Sequence, residues 1–236
     1  TESGEELLPL AEEAEAKIIG ARKRVEGKDR TEKGKIRFSI TPTLAYDLVA
    51  PMIARFTEAF PEIEIELRLT SAIESINKNE TDVSLRAAEQ VKEDVVARKL
   101  FQLKIGTYVG AEYLESVVPK AGPEGEGLTW IGWPEGRLGQ YQKPSSLFPK
   151  AAIRHVVSDG HMRTKFARLN LGMSPLPSIF EDAYPDLRRM PGTGLEPGPW
   201  LWIVLHSELQ KTVRVRRFVD FLTSELLSLQ PVNTRK

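Results

Sequence analysis

Between residues 36 and 86 the apolar residues alternate, then recur at helical spacing, then alternate again. Ile36, Phe38 and Ile40 alternate as a strand, TPT at 41–43 turns, and Leu44, Leu48, Met52, Ile53, Phe56 and Phe60 give a helical stripe restarted at Pro51. Ile63, Ile65, Leu67 and Leu69 alternate with charged residues, Ser71 caps a short helix over 72–79, and DVSLR at 82–86 is a third strand. This β-α-β-α-β order predicts a parallel α/β sheet.

The pattern is repeated further on. Residues 99–109 read as a long strand, a Gly- and Pro-rich run occupies 119–139, and Ile153 to Val157 form another strand. SDGHMRTKFARLNLG (158–172) predicts a capped helix ending at Gly172, and SPLPSIF a short strand or turn. A loop at 191–199 leads into the apolar strand WLWIVL (200–205), and the closing helix carries Val215, Phe218, Val219, Leu222, Leu226 and Leu229 on one face. Two βαβ units of comparable size, with the last strand and helix returning after the second, predict two lobes with a cleft between them.

The opening is different in kind. Residues 2–16 hold six acids and no base, and from Lys17 to Arg24 the sign reverses, as the helix macrodipole prefers. Ser3 and Glu6 have capping-box spacing, and Pro9 should kink the helix or delay its first turn. Leu7, Ala11, Ala14, Ile18, Ala21 and Val25 are spaced 4, 3, 4, 3, 4, a coiled-coil seam or else a surface helix packed on its own domain. The stretch EGKDRTEKGK at 26–35 reads as a hinge. Position 1 is Thr and the chain opens as if in the middle of something, so a fragment of a longer protein is expected.

Composition excludes several functions. With 33 basic and 33 acidic residues there is no bulk field for a polyanion. The longest apolar runs, 48–54 and 200–205, fall short of the roughly 18 residues of a spanning helix. The N-terminus lacks the pattern of a secretory signal, so no membrane partner and a cytoplasmic location are expected. Cysteine is absent and His155, His161 and His206 have no ligand spacing, so neither a metal nor a cofactor is expected. The sequence holds no G-x-S-x-G, Walker, G-x-G-x-x-G or H-E-x-x-H pattern, so no enzyme is expected.

In order and spacing these pieces resemble the LysR-type transcriptional regulators, specifically their linker helix and effector-binding domain without the winged helix-turn-helix. The matching stretches are TESGEELL, GKIRFSITPTLAYDLVAPMIARFTEAFPEIEIEL (34–67), DVSLR, VVARKLFQLKIGTYVGAEYL (95–114), VSDGHMRTKFARLNLGMSPLP (157–177) and RVRRFVDFL (214–222). The resemblance implies an α/β, two-lobed periplasmic-binding-protein-like (type 2) domain after a long linker helix. It divides the chain into a linker and dimerisation helix at 1–30, lobe I at 31–102 and 206–236, and lobe II at 103–205. It also implies a small-molecule effector held between the lobes, a homodimer or homotetramer, and DNA contacted only through an absent N-terminal domain. One departure stands out. The family's G-x-G-x-x-L-P pattern is NLGMSPLP here, with Ser174 and Pro175 at the later positions, so that wall of lobe II is expected to be unusually shaped.

Thr41 and Thr43, Thr70 and Ser71, and Ser158 would bring helix N-termini with hydroxyl groups to the cleft, which suits a small carboxylate; the alternative is that Thr43, Ser71 and Ser158 are only N-caps. Arg86 either grips a carboxylate bidentately or pairs at the surface with Glu89 or Glu93. Trp130, Trp133 and Tyr141 are a flat wall for an aromatic effector or core packing, and His161 either hydrogen-bonds ligand or faces solvent. A free-standing solute-binding protein of a transport system shares the fold and is the rival function. The missing signal peptide and the heptad helix stand against it.

Overall fold

A computed structural model describes residues 1–26, 31–70, 81–91, 96–134 and 147–229. The chain divides into two compact units. The first holds Thr1–Thr41, Val49–Phe101 and Trp200–Lys236, and the second holds Pro42–Leu48 and Gln102–Pro199. The helix predicted at 72–79, Ser71, Tyr141 and residues 27–30 of the hinge lie outside the described residues, as do the side chains of Ser3 and Glu6.

In the first unit, β1 (Gly34–Ile40) runs parallel to β2 (Ile63–Leu69) on one side and to β3 (Val83–Ala88) on the other. Beyond β3 the sheet is mixed rather than parallel, because the returning strand β9 (Glu196–Leu205) meets β3 antiparallel, with Arg86 opposite Trp202. An antiparallel neighbour needs no crossover helix, so the βαβ pattern that predicts the first three strands does not extend to this one. The closing helix α6 (Val213–Ser228) packs on β1, and α3 (Ala50–Ala59) packs on β2 and on α6. Phe38 of β1, Phe56 of α3 and Phe218 of α6 are all fully buried, with Phe218 edge-on to both other rings at centroid distances of 5.0 Å. That geometry suits the ring quadrupoles and joins sheet to helices.

Residues 41–43 do not turn. The helical run starts with α2 (Pro42–Leu44), passes through a π-helical segment at Ala45–Val49 and continues as α3. Proline's fixed φ suits the first helical position, which makes Pro42 a start rather than a break, and the wider π turn absorbs the change of phase before Pro51. Helix α1 (Glu2–Glu26) contains Pro9 in its interior, so the first turn is not delayed; losing one N–H does not stop the ladder on either side.

The second unit is built on β4 (Val96–Gly110), which enters it from the first and pairs antiparallel with β7 (Ser174–Pro177) and β8 (Leu187–Arg189). Pro175 and Pro177 can sit in β7 because it is the last strand of its sheet. Strand β9 begins at Glu196, four residues inside the predicted loop. Gly198 permits this: a Cβ there would lie 2.6 Å from Ile105 of β4, and Gln102 donates to its carbonyl at 3.0 Å. Helix α4 (Ala111–Ser116) and the parallel pair β5 (Thr129–Gly132) and β6 (Ala152–Val156) complete the scaffold. Val109, Tyr113, Leu128, Trp130, Met173 and Met190 form its core, so Trp130 is packing and not a ligand wall.

Helix α5 (Gly160–Arg168) is shorter than the sequence predicts. Its cap is Asp159, whose Oδ1 accepts from Met162 N at 2.7 Å, and Ser158 lies exposed outside the helix. At the other end Asn170 takes a left-handed conformation (φ 63°), stabilised by Tyr113 N donating to its Oδ1 at 3.0 Å. Gly172 is a strand contact instead of a helix stop: φ is 148° and a Cβ would come 2.6 Å from the Thr129 carbonyl oxygen.

Two stability outcomes follow. Phe218→Ala should cost about 3–5 kcal/mol in equilibrium urea unfolding, the usual range for a buried aromatic truncation. Asp159→Ala should cost roughly 1 kcal/mol by the same measurement through loss of the α5 cap.

Candidate functional site

In the first unit, the parallel registers place Leu69, Ile40 and Leu85 side by side, so Thr70, Thr41 and Arg86 follow as the next row at the carboxyl ends of three parallel strands. Open α/β sheets bind ligands at such ends. Thr70 N donates to the Ile40 carbonyl at 3.0 Å, which ties the ends of β2 and β1 together. Arg86 is 3% exposed and not at the surface. Its Nη1 donates to the Thr70 carbonyl at 3.1 Å and its Nη2 to Ser39 Oγ, so a guanidinium from β3 fastens the two neighbouring strands. Desolvation lowers its pKa to about 10, which leaves it a cation at neutral pH.

In the second unit, Thr43 and His161 meet at the start of α5. A Cβ on Gly160 would fall 2.0 Å from Thr43 Oγ1, so the glycine is what lets Thr43 sit on the first turn. His161 is half-buried; its ring stacks on Tyr46 at 4.4 Å and its Nδ1 lies 3.7 Å from Asp47 Oδ2. The same carboxylate oxygen accepts from Tyr184 OH. Burial first, and that bond second, raise the Tyr184 phenol above its usual range. Trp133 follows β5, and the Arg163 guanidinium lies over its ring with Cζ 3.2 Å from the centroid. Ser158 is exposed, and Asp159 takes the capping role.

The structure thus groups Thr41, Thr70 and Arg86 in one unit and Thr43, His161 and Trp133 in the other. Sequence reading missed Arg163, Asp159 and Asp47. A signal for Arg163 existed: it stands in the first turn of α5, where the macrodipole disfavours a cation, so something other than helix electrostatics keeps it there. Both units offer cationic and neutral donors suited to an oxyanion. Among the described residues, no group of three or more His, Cys, Asp or Glu side chains could hold a metal, and no helix is long and apolar enough to cross a membrane.

Solved structures with the same fold include the regulatory domain of CrgA, a LysR-type transcriptional regulator from Neisseria meningitidis, at a TM-score of 0.69 and 22% identity over 82% of this chain and 99% of that one. The larger CrgA structure matches at 0.70 and 21%, covering 96% of this chain and 80% of that one. The regulatory domain of AphB from Vibrio vulnificus matches at 0.61 and 19%, over 81% and 98%. In sequence, the CrgA regulator of Neisseria meningitidis serogroup C is 22% identical over 96% of this chain and 78% of its own length. A helix-turn-helix-type transcriptional regulator from Xanthomonas campestris is 28% identical over 35% of this chain, which spans 24% of that protein. A family model described as the LysR substrate binding domain matches residues 29–227. The chain therefore belongs to the LysR substrate-binding domain family and has the α/β fold of LysR-type regulatory domains.

Proposed function

We propose that this chain is the effector-sensing and oligomerising part of a LysR-type transcriptional regulator, that it takes a small carboxylate-bearing molecule, and that it works without catalysis. The observation that carries the reading is the row Thr70, Thr41 and Arg86 at the ends of three parallel strands, inside a domain of this family. Hydroxyls and a buried guanidinium in one row supply the donors that a carboxylate needs, and the cost of keeping the cation desolvated is offset when an anion arrives. The relatives described above are named as regulators, and none favours the transport reading.

Ligand would act by population shift: it favours one assembly of the regulatory domains, and that assembly positions DNA-binding domains elsewhere in the full-length protein. Helix α1 supports the oligomerising half. Leu7, Ala11, Ala14, Ile18, Ala21 and Val25 are all exposed in the single chain, with Ile18 at 71% and Val25 at 74%. A heptad seam left uncovered by its own domain suits a second copy of the same helix, giving a homodimer or homotetramer.

A thermal-shift screen against small carboxylates, amino acids and aromatic acids tests the sensor. An effector at 100 times its dissociation constant should add about 2.7 kcal/mol of stability. Arg86→Ala should weaken that effector by about 1.5–3 kcal/mol, the worth of one charge-assisted hydrogen bond, as measured by calorimetric titration; unaltered affinity would remove Arg86 from the site. Replacing Ile18 and Val25 together by Asp should lower the assembly mass seen by light scattering. An unchanged mass would sink the seam.

A further inference from the structure

We propose that Arg163, stacked on Trp133, is a receptor for the carboxylate of a small organic acid within the second unit. The inference deepens the effector reading and rests on it for the acid's regulatory role, while the binding step can be tested alone.

The argument starts from what Arg163 lacks. It is 4% exposed, yet its Nε and Nη1 have no hydrogen-bond partner among the described residues. On the guanidinium face lies the Trp133 ring, Cζ 3.2 Å from the centroid. An aromatic face attracts the cation but accepts none of its in-plane hydrogens. Asp159 acts on Arg163 electrostatically, but the two form no ion pair, and Asp159 Oδ1 already accepts from Met162 N at 2.7 Å. Burial lowers the Arg163 pKa to about 9, so the group still carries its charge at neutral pH.

For stability alone this arrangement is a poor one. A buried cation with unmet donors destabilises, and an apolar side chain of similar length would pack as well on Trp133 and cost nothing in desolvation. Placement in the first turn of α5 adds an unfavourable interaction with the helix dipole. The same features are those of a binding group. The stack holds the guanidinium plane fixed, its edge donors match a planar carboxylate, and the low-dielectric surroundings strengthen the pairing when an anion enters. Trp133 then serves as an orienting platform, not as a wall for an aromatic ring.

The test uses the whole chain with acetate as probe, acetamide as its neutral counterpart and inorganic sulfate as a second anion, at constant ionic strength. Intrinsic tryptophan fluorescence and calorimetry report binding, since the cation sits on an indole. The expected result is saturable acetate binding, no response to acetamide, and at least a tenfold loss of acetate affinity in Arg163→Met, with a higher ligand-free melting temperature in that variant. Arg163→Lys keeps the charge without the planar fork and should bind several-fold more weakly; should the methionine variant fail to fold, this variant decides. Acetate affinity unchanged in either folded variant, no saturable binding by the unsubstituted chain, or sulfate bound with acetate excluded would overturn the proposal. An acid found by the thermal-shift screen whose affinity ignores Arg163→Met would overturn this inference and leave the effector reading standing. Acetate bound through Arg163, with neither acetate nor any stabilising acid from that screen changing the assembly mass, would leave this site standing and remove the effector reading.

Discussion

Strand β1 is the element on which the first unit depends. It is paired in parallel on both edges and packed against α6 through Phe38, with Phe56 of α3 on the same Phe218 ring, so neither edge nor face is free to slip. A shift of one residue would turn Phe38 and Ile40 to the opposite face and break the Phe38–Phe218–Phe56 contacts. That fixed register is also what lines up the strand ends. Thr41, Thr70 and Arg86 share a row because Ile40, Leu69 and Leu85 do.

The two buried arginines of the candidate sites show opposite answers to one electrostatic problem. Arg86 meets acceptors from adjacent strands, a carbonyl and a hydroxyl, and so strengthens the scaffold even without a ligand. Arg163 meets an indole face and is left with unpaired in-plane donors. Desolvation lowers the pKa of both, yet only the first has its hydrogen bonds supplied by neighbouring strands. The distinction matters for function: a cation whose terminal nitrogens are held by the scaffold resists rearrangement, whereas one held only on its face is freer to turn its edge donors to an anion.

Much of the fold was legible because it is written in local periodicity. Strands β1, β2 and β3 and the stripe from Leu44 to Phe60 follow directly from alternation and helical spacing. The failures fall where a local signal was overridden by a neighbour. Ser158 looks like a cap, but Asp159 accepts from Met162 N and wins the position. Gly172 looks like a helix stop, but its φ and its closeness to the Thr129 carbonyl make it a packing glycine. Residues 196–199 read as loop because Pro and Gly are poor strand formers, yet Gly198 is what allows β9 to lie against β4. Of the candidate site, the hydroxyl and arginine residues at strand ends were readable, since each follows a recognisable strand. For Arg163 only its place in α5 was readable; its stack on Trp133, thirty residues earlier in the chain, was not.

By itself, then, the sequence determined the class of fold, the first three strands of the first unit and the ends of β1 and β2, since these depend on residues near one another along the chain. The family resemblance was carried in the same way, by the order of short motifs, and the family match spans residues 29–227. Only the tertiary structure decided that the sheet is mixed, that Arg86 bridges three strands and that Arg163 is buried with its Nε and Nη1 lacking an acceptor among the described residues. The physical reason is common to all three. Strand direction beyond the βαβ units, desolvation and hydrogen-bond satisfaction are set by which distant segments come into contact, and no window of neighbouring residues contains that information.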